Sequence, residues 1–377
     1  MALLDLLAKA HLQYTDHIVL GCLLVTGILA FGVPSIELQT DFQASLPDDL
    51  DPIATQDRVE AEFGSSDSII VLFQVNEKPQ QEGYVTDVRD PRMIRTMNFL
   101  ESELQREPAI SSVNSMASLF EQNPGSKQEV KKVLSRSGAS FTNRDFTATT
   151  MYIQLSEDMT EQNVREATQT LSQNIEEAPK YPGVEIKTTG VPVMRNVLSD
   201  VLVSDTVTII AAASVLILVL LAAVRGPVYG TATFMPLFLG LLWTLGAMGL
   251  LGIPLTIATI ALGSMLLGLG VEYGSFIAER IIEETREQGV EDGIMTAVPN
   301  TGRAVLGSST TDLVGFLSLL LASISFMRDL GITLALGEGL TLASALLLTP
   351  ALIVKYERWK QEDRLKFFGH ELRGGEI

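Results

Sequence analysis

The sequence predicts a polytopic α-helical membrane protein with six transmembrane helices and one extracytoplasmic α+β domain inserted between helices 1 and 2. Three observations carry this. Across 377 residues, 46% are hydrophobic and 19% charged, with a mean hydropathy of +0.27, more apolar than an ordinary soluble domain. The apolar excess is confined to the start of the chain and to the part after about Val201, in runs long enough to cross a bilayer. Between them lies a polar, acidic stretch in which strand and helix signals alternate.

The first span covers about Ile18–Val33 and closes at Pro34. Val19-Leu20-Gly21-Cys22 has the outline of a lipoprotein cleavage site, yet the apolar run continues past Cys22, which favours an uncleaved span. The second runs from about Val203 to Val224 and stops at Arg225-Gly226-Pro227. Val228–Leu251 makes the third, and Gly252-Ile253-Pro254 turns the chain into a fourth at about Leu255–Ala278. Ala304–Phe326 and Leu330–Val354 make the fifth and sixth, the fifth being the least apolar because Ser308–Asp312 interrupts it. The segment 279–302 reads as a cytoplasmic continuation of span four along the membrane surface. Each span fits a hydrocarbon layer of about 30 Å at about 1.5 Å per residue.

Basic residues set the orientation. Arg225, then Arg280, Arg286 and Arg303, then Lys355, Arg358, Lys360, Arg364 and Lys366 all fall on one side, with Tyr356 and Trp359 as interfacial anchors. The opposite turns carry only Arg328, beside Asp329. Both termini are therefore expected in the cytoplasm of a multi-pass cell-membrane protein, with the large domain outside. The expected organisation is 1–34, N-terminus and span one; 35–200, the outer domain; 201–356, spans two to six; and 357–377, a cytoplasmic tail.

Within the outer domain, Asp67–Val75 reads as a largely buried strand, and Asp90-Pro91 opens a helix to about Arg106 with an acid at its cap. Strands follow at Ala109–Met116, Asp145–Leu155 and Val184–Thr188, with helices at Ser126–Leu134 and from Thr160 to Ala178. The order β-α-β, β-α-β is that of a ferredoxin-like domain, another α+β sandwich being the alternative.

The net charge of −18, from 27 basic and 45 acidic residues, argues against nucleic-acid partners and is read as a solvated acidic domain. A single cysteine excludes an intrachain disulfide. His11, His17 and His370 are too scattered for a metal site or a Ser-His-Asp triad, and no Gly-x-x-x-x-Gly-Lys loop is present. An enzyme is therefore not expected, nor a cofactor.

The chemistry is expected at Glu272, Asp312 and Glu338, which fall in the middle third of spans four, five and six. A carboxylate at the bilayer centre costs several kcal/mol and marks function by default. No Lys, Arg or His lies inside spans two to six, so these acids must be protonated, hydrogen-bonded, hydrated or bound to a cation. Reversible protonation is what a proton relay needs, one proton being worth about 2.3 kcal/mol per 100 mV. Tyr273 adds a hydroxyl, Ser308 and Ser309 share the helix face of Asp312, and Thr341 shares that of Glu338. Gly268, Gly270 and Gly274 permit close helix packing. The competing reading is that the acids stay protonated and only hold helices together.

Gly270-Val271-Glu272-Tyr273-Gly274-Ser275-Phe276 followed by Glu279-Arg280 resembles the span-four motif of the MMPL branch of the resistance-nodulation-division (RND) transporters, in particular its archaeal hydrophobe/amphiphile efflux members. Thr40-Asp41-Phe42 with Leu46-Pro47, Thr188–Pro192 and Thr301–Ala304 add to the resemblance. The resemblance implies proton-driven movement of hydrophobic, lipid-like or amphiphilic molecules, with Glu272 and Tyr273 in the relay; that family's usual Asp is Glu here. Asp312 and Glu338 match no fixed position of that motif, so their role rests on the physical argument alone. Such transporters commonly carry two such halves, whereas this sequence shows one. Self-association is expected, a homodimer being simplest and a trimer or a second half-size subunit the alternatives. Protons are the expected coupling ion, with Na+ the alternative. The rival functions are a Sec-accessory protein-secretion motor and a non-transporting lipid sensor.

Overall fold

A computed structural model describes residues 2–39, 55, 68–75, 83–137, 141–156, 161–259 and 261–373. The chain divides into two compact units, residues 48–200 and the remainder.

In the second of these, helices α1 (Ala2–Gln13) and α2 (Thr15–Ala30) lead to a short strand β1 (Leu38–Gln39). The other long helices are α6 (Val191–Arg225), α7 (Pro227–Leu251), α8 (Leu262–Gln288), α9 (Val290–Ser318) and α10 (Ser325–Arg373). Among the described residues, five segments are long and apolar enough to cross a membrane: Thr15–Ser35, Val191–Arg225, Pro227–Leu251, Val290–Leu321 and Ser325–Gln361. The helix α8, which covers most of the expected fourth span, is not among these five. The start of that expected span is not helical. Leu255 and Thr256 form a strand, β6, paired in parallel with Leu38 and Gln39. Pro254 lacks the N–H that would continue a helix, so an apolar run here is compatible with an extended bridge.

Helix α8 lies at the centre, packing on α7, α9 and α10. Leu237, Leu241, Leu266, Ile277, Val305 and Leu342 fill the space between them. Gly289, at φ 89°, breaks α8 from α9. A Cβ on Gly293 would stand 2.7 Å from Thr285 N, so the two helices turn back on each other tightly. The expected gap between spans four and five is therefore two helix ends and a glycine.

In residues 48–200, the four strands β2 (Ser68–Val75), β3 (Ile110–Asn114), β4 (Ala148–Leu155) and β5 (Val184–Thr189) form one antiparallel sheet in the order β3-β4-β2-β5. Helices α3 (Pro91–Leu104), α4 (Lys127–Ser137) and α5 (Glu161–Glu177) connect them. Asp90 caps α3 by accepting from Arg92 N at 2.9 Å. Ile69, Val71, Phe73 and Val75 are buried while their neighbours are not, and Ile69 and Val71 lie opposite Ile153 and Met151. β2 is thus half-buried, with one face on the helices, not largely buried as its apolar run suggests. Asp87 is held by Arg89 and by Lys127 at 2.7 Å. Burial opposes ionisation there, yet these partners hold its carboxyl at about 2.

Candidate functional site

Three of the four expected relay groups meet. Tyr273 on α8 is 1% exposed, because Gly270, about a turn before it, and Gly274, next to it, let the helix sink against its neighbours. A Cβ at Gly270 would stand 2.6 Å from Thr341 Cγ2, and one at Gly274 would stand 3.1 Å from Leu237 Cδ2. Gly268, expected in the same role, has nothing within 4 Å and packs on no neighbour.

The Tyr273 hydroxyl donates to Asp312 Oδ2 on α9 at 3.0 Å and is also hydrogen-bonded to Glu338 Oε1 on α10. Glu338 is fully buried, and no Lys, Arg or His pairs with either acid among the described residues. A phenol owns one proton. It can donate to only one of the two carboxyl groups at a time, so the phenol stands between two acids as their shared hydrogen-bond partner.

Glu272 does not join it. Adjacent residues on a helix point about 100° apart, so a buried Tyr273 turns Glu272 away. Its side chain lies on an open groove between α8 and α9, also lined by Phe276, Arg280, Ala304, Val305 and Ser308. It has no hydrogen bond or ion pair among the described residues.

The expected supporting hydroxyls act differently. Ser308 and Ser309 donate to the carbonyls of Val305 at 3.1 Å and Leu306 at 3.3 Å, not to Asp312. Serine in a helix satisfies itself on the preceding turn when no nearer acceptor offers. Thr341 Oγ1 is buried without a partner among the described residues, as is Glu338 Oε2 one turn before it. No group of three or more His, Cys, Asp or Glu suited to a metal occurs among the described residues.

Sequence reasoning did not find that Tyr273, not Glu272, is the centre of the cluster. The signal was available in the spacing: Gly270 and Gly274 mark one face of the helix, Tyr273 lies about 80° from its centre and Glu272 about 180°, on the opposite side.

Long apolar helices around a buried acid–phenol–acid cluster define a multi-pass membrane protein with titratable groups in its interior. Residues 46–370 match the model of the MMPL family, and the chain belongs to that family. It is accordingly a transporter-like membrane protein. A Methanocaldococcus jannaschii protein described as a membrane protein, MJ1562, is 32% identical over 347 residues, 89% of each chain. The Streptomyces coelicolor membrane protein ActII-3 is 32% identical over 96 residues, 25% of this chain and 14% of its own. Among solved structures, SecDF in its super-membrane-facing form aligns at a TM-score of 0.45 and 15% identity, over 95% of this chain and 39% of SecDF. The chain thus spans about two fifths of the length of SecDF.

Proposed function

We propose that the protein is a proton-motive-force-driven exporter of hydrophobic or amphiphilic molecules, working as a homo-oligomer whose simplest form is a dimer. The observation that carries this is the Tyr273 hydroxyl held between Asp312 and Glu338 on three separate helices. A proton arriving at one acid can leave from the other through the phenol, and each transfer changes what ties α8, α9 and α10 together. A transporter needs that coupling between protonation and helix position.

In this reading α8 is the fourth of six spans, and its polar face is the reason its hydropathy is low. The strand order β3-β4-β2-β5 with helices between supports a ferredoxin-like domain inserted between spans one and two, outside the cell. The clustering of Arg225, Arg280, Arg286 and Lys355 supports cytoplasmic termini.

The test is transport of a fluorescent amphiphile, N-phenylnaphthylamine, in proteoliposomes under an imposed proton gradient. Tyr273→Phe keeps the ring and removes the bridge. Its gradient-driven rate should fall about 100-fold, the scale on which a positioned proton donor acts, while the protein still assembles. Transport indifferent to the gradient, or to Tyr273→Phe, overturns the proposal.

A further inference from the structure

We infer that the groove between α8 and α9 binds an amphiphilic organic cation, with Glu272 as its counter-charge. This rests on the transport reading above and gives it a substrate class.

The groove has a volume of about 600 Å3, the size that takes a drug-sized molecule. Its apolar walls are Phe276, Ala304 and Val305, and its polar lining beside them is Glu272, Asn300, Thr301 and Ser308. Phe276 is 52% exposed, presenting a ring for a cation to sit against. Farther along α8 the lining turns to Glu279, Arg280 and Glu283. Those charges are largely spoken for. Arg280 reaches Glu283 Oε2 at 2.7 Å and also pairs with Glu284, and Arg225 at the end of α6 stands 3.5 Å from Glu279.

Glu272 has no such partner among the described residues. A carboxylate inside a span, beside an aromatic ring and aliphatic walls, needs a proton, water or a cation. With Glu279 and Glu283 paired to arginines, Glu272 leaves the groove an unmatched negative charge, so it disfavours anions and offers an apolar cation both a counter-ion and a place for its body. An anionic lipid headgroup would meet the wrong sign.

Proton and cation then compete for Glu272. The titratable and charged groups near it are Tyr273, Glu279, Arg280 and Glu283 on its own helix, Asp312 on α9, Glu338 on α10 and Arg225 on α6. A proton held on Glu272 removes the counter-charge and releases the cation. This is an exchange at a single carboxyl, with no covalent step.

The test is equilibrium binding of tetraphenylphosphonium to the purified full-length protein in neutral detergent, beside tetraphenylborate, which has the same shape and the opposite charge. Saturable tetraphenylphosphonium binding is expected, at least tenfold tighter than tetraphenylborate, weakening as the pH is lowered. Glu272→Gln should cost at least tenfold in affinity and leave the remainder independent of pH, whereas Glu272→Asp should keep the charge selectivity. Phe276→Leu should weaken the cation and not the anion. Equal binding of the two ions, or tetraphenylphosphonium binding untouched by Glu272→Gln in a protein of unchanged thermal midpoint, overturns the inference. Should Glu272→Gln fail to fold, loss of charge selectivity in Phe276→Leu and its retention in Glu272→Asp still decide it. The relay fails separately: if Tyr273→Phe leaves gradient-driven transport intact while tetraphenylphosphonium binds as described, the groove stands without the relay.

Discussion

At the scale of single residues, buried groups without a full set of partners identify where protonation matters. His11 on α1 is completely buried, its Nε2–H donating to the Leu346 carbonyl at 3.1 Å and its Nδ1 without a partner. Burial holds its imidazole down at about 4, against the pull of the Leu346 carbonyl. The ordinary value is roughly 6.5, so the unfolded or undocked helix binds the proton more readily than the docked one. The docking of α1 is therefore fully stable above roughly pH 6.5, and weakens as the pH falls toward about 4. Hydrogen exchange along α1 should report it, as protection that declines through that window beyond the intrinsic change in exchange rate. His11→Phe, which cannot titrate, should show a flat profile. A variant that loses protection in parallel with the native protein would show that His11 is not the responsible group. Nothing in the sequence marked this residue, since α1 lies before the first apolar run and His11 stands alone among helix formers. The opposite holds for Asp312 and Glu338. Their cost in a bilayer made them legible from composition alone, but their shared partner was not, because which helices meet is a matter of tertiary packing.

Among the elements, the glycines separate contacts that the backbone itself makes from those that side chains can adjust. Helices α2 and α7 cross so closely that a Cβ on Gly249 would stand 1.8 Å from Gly32 O, and one on Gly246 would stand 2.1 Å from Leu29 O. Leu29 O belongs to the ladder of α2, and Gly32 O, in the turn after it, accepts from Ser35 N at 3.0 Å, so neither swings aside without losing a bond and the two elements would have to part. Trp243 Nε1–H donates to Thr26 Oγ1 at 2.7 Å across the same crossing, and that bond would be drawn out with them. Gly249→Ala should therefore destabilise by about 1–3 kcal/mol, the usual cost of overpacking, and lower the thermal midpoint of the protein in detergent. Gly268→Ala meets open space and should be neutral or slightly stabilising, since alanine is the better helix former. Equal midpoints for the two variants would mean that the crossing is looser than drawn. Element boundaries were legible in proportion to how local their causes are. The strands of residues 48–200 fell close to their apolar alternation, and Asp90-Pro91 announced α3. Helix α6 begins at Val191, well before the apolar run, because Gly190 at φ 117° and Pro192 in the first turn start a helix that hydropathy discounts for its Arg195, Ser199 and Asp200. The bridge between Leu38 and Leu255 depends on residues far apart in sequence and leaves no local trace.

For the whole molecule, with α8 read as the fourth span as proposed above, its exposed Glu272 is the argument for a second copy. Glu272 lies on an outward groove of the helix bundle, and Ser308 and Thr311 are exposed on the neighbouring face of α9. Ser308 and Thr311 are satisfied on the preceding turn, at the carbonyls of Val305 and Gly307, but lipid tails offer Glu272 no hydrogen bond, and a mid-bilayer carboxylate costs several kcal/mol. A two-fold partner beside this face would roof the groove without filling it, so that the cation proposed above keeps its place against Glu272, and would set two relays side by side. Helix α6 carries the complementary surface, with Val207, Leu216, Val219 and Val224 exposed by more than half and apolar, which suits lipid. The α8–α9 face is thus the one expected to be covered and α6 the one expected to remain in contact with the bilayer. The protein should then run at twice 40.9 kDa once detergent is accounted for. Function should be shared as well as mass. If both protomers must cycle together, proteoliposomes made from an equal mixture of native and Tyr273→Phe chains, co-expressed so that they assemble at random, should transport at about a quarter of the native rate, since only that fraction of dimers has two intact relays. Independent protomers would give about half. A rate at the higher value, with the dimer mass still observed, would leave the interface as shelter for Glu272 and confine each proton pathway to a single chain.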